Sequence, residues 1–138
     1  WYADNEIEYT YSGKKLQRHN WNNLLLEIKE KIENITSFKF NSVLANLYRD
    51  GNDSMGLHSD DEKELGKKPV IASLSLGETR EIYFKHKNKK LSLIIPQTSG
   101  QLIVMHGNTQ EYWKHEIKKI KKIKKPRINL TFRNIITN

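Results

Sequence analysis

Cysteine is absent from this 138-residue chain. That absence excludes disulfides, zinc–thiolate sites and thiol nucleophiles together. Proline (3 residues) and glycine (7 residues) are few and scattered, which speaks for a folded globular chain over a disordered one. No apolar run approaches the length of a membrane span, and the start of the chain has no signal-peptide pattern. The expectation is therefore a monomer that does not contact membranes, cytoplasmic or, in a eukaryotic cell, nuclear. Acidic residues are the scarcer charge: 16 Asp and Glu stand against 24 Lys and Arg, for a net charge of +8. Such an excess favours a polyanionic partner. Much of it lies in Lys118-Lys119-Ile-Lys121-Lys122-Ile-Lys124-Lys125, which reads equally well as a phosphate-tracking stripe or as a solvated loop.

The length suits one domain with one core, residues 1–138. Residues 1–20 mix aromatics with polar residues and show no long period, as in a short strand or a lid. Residues 21–35 place Trp21, Leu24, Leu25, Ile28, Ile32 and Ile35 on one stripe opposite Glu and Lys, the pattern of an amphipathic helix. Strand-like runs follow at residues 42–49, 70–76, 80–86, 91–95, 101–106, 112–118 and 127–135. Turn residues punctuate them, as in Asp50-Gly51-Asn52-Asp53 and Ser99-Gly100. One helix against many short strands predicts a mainly β protein with a flanking helix (α+β), built as a sandwich or jelly roll.

The chemistry concentrates in three places. In Arg127-Ile-Asn129-Leu-Thr131-Phe-Arg133 a strand puts Arg127, Asn129, Thr131 and Arg133 on one side and Ile128, Leu130 and Phe132 on the other. Two arginines beside Asn and Thr do not make an ordinary solvent face, and arginine is suited to gripping a carboxylate in a bidentate fork. Upstream, His58 and Asp60 lie two apart, so that in extended chain they project to one side and can share a metal. With a distant imidazole they form the two-histidine, one-carboxylate set of non-haem Fe(II) oxygenases, which leaves positions open for substrate and oxygen. His115 is the preferred third ligand and His106 the substitute; His19 and His86 are also available. Asn46 and Tyr48 share one face of an otherwise apolar strand, and an anionic ligand held jointly with the arginines would supply their hydrogen bonds. Asp61 and Glu62 follow Asp60 directly, and three consecutive acids repel unless a cation or a donor-bearing substrate offsets them.

Together these segments resemble the AlkB family of Fe(II)- and 2-oxoglutarate-dependent nucleic-acid demethylases. The resemblance runs through nearly the whole chain: Trp1-Tyr2, Tyr9-Thr-Tyr11-Ser-Gly13, Asn46-Leu-Tyr48-Arg-Asp-Gly51, Met55-Gly-Leu-His58-Ser-Asp60-Asp61-Glu62, Gly107-Asn-Thr-Gln110 with Trp113-Lys-His115, and Pro126-Arg127-Ile-Asn129-Leu-Thr-Phe-Arg133. It implies a double-stranded β-helix (jelly-roll, cupin-like), with residues 1–20 as part of a substrate lid, residues 21–35 as a supporting helix and residues 40–138 as the catalytic core. It further implies that His58, Asp60 and His115 bind Fe(II). Arg127, with Asn46 and Tyr48, would hold the far carboxylate of 2-oxoglutarate, with Asn129 beside it and Arg133 near the iron-side carboxylate or paired with Asp60. O2 is the co-oxidant.

The implied substrate is an N-alkylated base, extruded into the pocket. Tyr11 would stack on it with His58 on the other face, and Tyr9 would line the same pocket. Asp61 and Glu62 would face its polar edge, where acids suit cationic 1-methyladenine and 3-methylcytosine. Relatives carry a further segment before the Trp-Tyr pair, so single-stranded DNA, for which extrusion costs least, is the expected substrate, with RNA also possible. Competing readings are an oxygenase acting on RNA or a protein side chain, a non-catalytic basic nucleic-acid-binding module, and a dehydratase or isomerase on a cupin-like fold.

Overall fold

The computed structural model describes residues 1–136, so the last two residues of the expected core lie outside the described part. In chain order the strands are β1 (Tyr2–Ala3), β2 (Thr10–Tyr11), β3 (Lys14–Lys15), β4 (Ser42–Tyr48), β5 (Met55–His58), β6 (Ile71–Gly77), β7 (Arg80–His86), β8 (Ser92–Gln97), β9 (Leu102–Met105), β10 (Trp113–Ile117) and β11 (Arg127–Arg133); α1 (Asn23–Thr36) precedes β4 and the single turn α2 (Thr109–Tyr112) precedes β10. Two antiparallel sheets hold most of them, a major one in the order β1-β4-β11-β6-β9 and a minor one in the order β5-β10-β7-β8. From β4 onward the chain alternates between the sheets, with one hairpin, β7–β8, inside the minor sheet. This is the expected jelly roll. The seven expected strands are all present, with ends shifted by a residue or two, as helix and strand boundaries commonly are.

β11 sits between β4 and β6, paired with both along its length. Its polar residues look inward between the two sheets, which explains why that side cannot be a solvent face. Leu130 and Phe132 point outward against α1, in a cluster with Leu25, Ile32, Phe40, Val43 and Ala72. Arg127, Thr131 and Arg133 are equally buried on the inner side, between the sheets.

Asn22 starts α1 by accepting the Leu25 backbone N–H at 2.8 Å, which satisfies one of the unpaired donors of the first turn. The helix buries less of its stripe than the pattern predicts: Leu24 is 66% exposed and Ile35 74%. Both lie on one flank of the stripe, turned past the contact with the sheet. Ile128 is likewise exposed on the outer face of β11, in register with exposed Leu47 of β4, where the helix gives no cover.

The Lys-rich segment between β10 and β11 is anchored at its two isoleucines. Ile120 N–H donates to the Gly51 carbonyl and Gly51 N–H to the Ile123 carbonyl, each at 2.8 Å. A Cβ on residue 51 would overlap the Ile120 carbonyl, so only glycine fits. The lysines of the segment all face solvent. Among the described residues no helix is long and apolar enough to cross a membrane.

Candidate metal and dicarboxylate site

β5 and β10 lie side by side in the minor sheet with His58 directly opposite His115. The rings are 4.4 Å apart between centroids. Asp60 follows β5 by two residues and is 1% exposed. One ligand atom from each of His58, Asp60 and His115 lies within 4.8 Å of the others, close enough for a single ion. His106, the substitute third ligand, is exposed and outside this group.

The donor atoms are prepared for a cation. His58 Nδ1 lies 2.7 Å from the Gly56 carbonyl, which holds the proton on Nδ1 and leaves Nε2 free, the usual division of labour in a metal-ligating imidazole. Asp60 Oδ2 accepts from Arg133 Nη2 at 3.0 Å, and its backbone N–H donates to Gln110 Oε1 at 2.7 Å. Asp60 Oδ1 is buried, has no hydrogen-bond partner and faces His58 Nε2 at 3.5 Å. His115 Nδ1 is also buried without a partner.

Burial works against the Asp60 carboxylate, but the Arg133 guanidinium and His58 outweigh it and hold Asp60 well below the usual carboxylate range. Burial, reinforced by His58, pulls His115 down to about 4. Burial lowers His58 too, but the neighbouring Asp60 carboxylate and the hydrogen bond to the Gly56 carbonyl reverse the sign and raise it. A carboxylate and a neutral imidazole at neutral pH are the protonation states that metal binding requires. A divalent cation would satisfy the orphaned Asp60 Oδ1, so the residues fit the group.

The same cavity continues to the other end of β11. Arg127 is 2% exposed. Its Nε donates to Ser75 Oγ at 2.8 Å, and its Nη2 donates to Gln97 Oε1 and, at 3.2 Å, to Asn129 Oδ1. Nη1 is buried with no partner. Every partner is neutral, and burial draws the guanidinium below its ordinary range. An uncompensated buried cation is costly, and an incoming carboxylate answers both the charge and the free N–H. Tyr48 stacks beside it, the guanidinium carbon 5.0 Å from the ring. Ser73 donates to Asn129 Oδ1 and Asn129 to Thr131 Oγ1, completing a neutral polar chain along the wall.

Of the twelve site residues expected from sequence, nine line this one cavity: Tyr11, Asn46, Tyr48, His58, Asp60, His115, Arg127, Asn129 and Arg133. Tyr11 meets His58 edge-on, with centroids 6.5 Å apart, and donates to Met55 Sδ at 3.9 Å. Tyr9, Asp61 and Glu62 are not among the lining residues. Tyr9 is buried in the inner core beneath Arg133, 5.8 Å from its guanidinium carbon. Asp61 is exposed. Glu62 is half-buried with Oε2 lacking a partner, and burial together with Asp60 raises its pKa.

Sequence reasoning passed over Gln97, Ser75 and Gln110 as site residues. Gln97 and Ser75 receive Arg127, and Gln110 holds the Asp60 backbone. Gln97 does leave a local trace, as the polar residue that closes the apolar run Leu93-Ile-Ile-Pro-Gln97. That trace gains meaning only with the register of β8 on β7, which sets Gln97 opposite Arg80.

Comparison with known proteins agrees with this geometry. Residues 1–133 match the family model described as the 2OG-Fe(II) oxygenase superfamily. The chain is 42% identical over 145 residues to alpha-ketoglutarate-dependent dioxygenase alkB homolog 3 of Bos taurus, covering 98% of this chain and 50% of that protein. It is 37% identical over 143 residues to the human DNA oxidative demethylase ALKBH2, covering 98% of this chain and 55% of that protein. It thus spans about half the length of these relatives. The solved structure of OsALKBH1 superposes with a TM-score of 0.66 at 22% identity, over 88% of this chain and 68% of that one, a likeness of fold. The chain belongs to the 2OG-Fe(II) oxygenase superfamily, in its AlkB-related branch.

Proposed function

We propose that this protein removes N-alkyl groups oxidatively from bases of the 1-methyladenine and 3-methylcytosine type in nucleic acid, preferably single-stranded DNA. The observation that carries the reading is one cavity with a metal-ready His58, Asp60 and His115 at one end and Arg127, buried without a carboxylate partner, at the other. In this reading His58, Asp60 and His115 hold Fe(II). Fe(II) with 2-oxoglutarate and O2 supplies the oxidation, by which the cosubstrate becomes succinate and carbon dioxide and the N-methyl group is hydroxylated and lost as formaldehyde.

The chain's own residues bind and orient. Arg127 takes the far carboxylate of 2-oxoglutarate, with Asn46, Tyr48 and Asn129 around it. Arg133 keeps Asp60 ionised and in place. Tyr11, edge-on to His58 at the cavity wall, offers a ring for an extruded base. Asp61 and Glu62, just past Asp60, bring acid to the rim for a cationic lesion, and Tyr9 backs Arg133. The sheets above and below exclude bulk water, which strengthens each electrostatic contact.

The net positive charge and the solvent-facing lysines of residues 118–125 support a nucleic-acid partner, as do the names of the relatives. The single-strand preference rests on the low cost of extruding an unpaired base. A monomer working in cytoplasm or nucleus completes the proposal.

The test is mass spectrometry of a single-stranded oligonucleotide carrying one 1-methyladenine, incubated with protein, Fe(II), 2-oxoglutarate and air. Loss of the methyl group, abolished in His58→Ala, supports the reading. Turnover of 2-oxoglutarate with the methyl group intact would move the substrate to RNA or a protein side chain, and a matched RNA oligonucleotide separates those two.

A further inference from the structure

Arg80 opens β7 and is 1% exposed. All three of its side-chain hydrogen bonds go to backbone carbonyls: Nη1 to Asp50 at 3.2 Å, Nη2 to Asp53 at 2.9 Å and to Lys118 at 2.8 Å. It therefore ties the turn between β4 and β5 to the end of β10. Those segments lead into His58 and out of His115. Carbonyl dipoles bond to this buried cation, the Asp53 carboxylate lies near enough to feel its charge, and its Nε has no partner.

Its guanidinium carbon also lies 5.5 Å from the Tyr48 ring, against which Arg127 packs at 5.0 Å. One tyrosine thus has two buried cations at its ring, and neither has a hydrogen-bonded carboxylate among the described residues. Like charges this close repel, and Arg80 adds to the burial that draws Arg127 below its ordinary range. A bound anion relieves both cations at once. Arg127 and Tyr48 line the cavity; Arg80 does not, so it acts on a ligand only through the ring and through its field.

We infer that Arg80 is a positioning residue for the cosubstrate, holding the Tyr48 ring against Arg127 and placing a second buried positive charge behind the far-carboxylate end, so that a dicarboxylate is selected over a monocarboxylate 2-oxo acid. This inference rests on the 2-oxoglutarate reading above. Desolvated cation–π contacts and buried charges act strongly here because little water screens them.

The experiment is calorimetric titration of the Mn(II)-loaded protein, without O2, with 2-oxoglutarate and with 2-oxobutyrate, which lacks the far carboxylate. Wild type, Arg80→Gln and Arg80→Lys are compared, each with its Tm. In Arg80→Gln the affinity for 2-oxoglutarate is expected to fall about tenfold, from loss of the buried positive charge behind the far carboxylate, while 2-oxobutyrate binds as in wild type. Arg80→Lys, which keeps a cation but cannot span three carbonyls, is expected to lower Tm yet keep the preference for the dicarboxylate. A loss confined to the dicarboxylate in Arg80→Gln is what a merely structural role would not produce. Equal loss for both acids in Arg80→Gln, or a preference that collapses with Tm in Arg80→Lys, overturns the inference; should Arg80→Gln not fold, Arg80→Met, which also removes the charge, takes its place. A wild type that binds no 2-oxoglutarate overturns the cosubstrate reading itself, whereas a wild type and Arg80→Gln that bind it equally remove only the role of Arg80.

Discussion

Arg127 and Arg133 stand on the same strand and the same face, both less than a twentieth exposed, yet they are in different electrostatic states. Arg133 meets the Asp60 carboxylate at 3.0 Å, and each holds the other ionised. Arg127 meets a serine, a glutamine and an asparagine. The first is a charge-compensated ion pair that orients a candidate metal ligand, although Arg133 Nη1, like that of Arg127, has no partner. The second is a cation with no hydrogen-bonded carboxylate among the described residues. The difference teaches how to separate a buried charge that serves the fold from one that serves a ligand: by the charge state of its partners, since burial is the same for both.

The largest expected effect is on the charge-compensated pair. Arg133→Met leaves Asp60 buried and unpaired and should cost about 3–5 kcal/mol in urea unfolding. Divalent metal should restore part of that loss, because the ion replaces the guanidinium as counter-charge to Asp60. A variant as stable as wild type would erase the contrast.

Arg127→Gln is expected to behave oppositely. It should lose about 2–5 kcal/mol of 2-oxoglutarate binding while unfolding at the same urea concentration as wild type or a higher one, since it removes an uncompensated charge. A marked loss of stability would mean that Arg127, too, is already satisfied.

Ligands sharpen the same comparison. Mn(II) with 2-oxoglutarate at a hundred times its Kd should stabilise the wild type by about 2.7 kcal/mol. In Arg127→Gln only the share due to metal should remain, as read by thermal unfolding with metal alone and with both.

The smallest effect concerns charge that is unpaired and exposed. Changing Lys121, Lys122, Lys124 and Lys125 to serine should leave Tm unchanged, because these side chains face solvent. Binding to single-stranded oligonucleotide should weaken, and the salt dependence should become shallower by roughly 0.7 for each phosphate that is no longer neutralised. An unaltered slope would assign the segment to solvated surface.

Much of this was legible before folding. The alternation in residues 127–133 identified a strand with a reactive polar face, and the spacing of His58 and Asp60 identified two donors on one side. The stripe in residues 21–35 located the helix, though Leu24 and Ile35 joined it only by periodicity, which cannot say how wide a face the sheet will cover. β5 was not distinguished as a strand because Met55-Gly-Leu-His58 is only four residues long and its alternation spans just two apolar residues. Ser75, Gln110 and Arg80 carried no local signal and Gln97 only a faint one, since their partners lie between 27 and 52 residues away along the chain.

The chain's own order of residues determined which groups exist and which side of a strand each takes, because the two-residue period of an extended backbone is a local property. It thereby determined the jelly-roll class and the inventory of donors. The tertiary structure decided which of the five histidines meet, by setting β5 against β10 with His58 opposite His115. It also decided that Arg133 would find a carboxylate while Arg127 would not. Pairing across sheets depends on register and on the desolvation of particular atoms, and those exist only once distant segments have closed over one another.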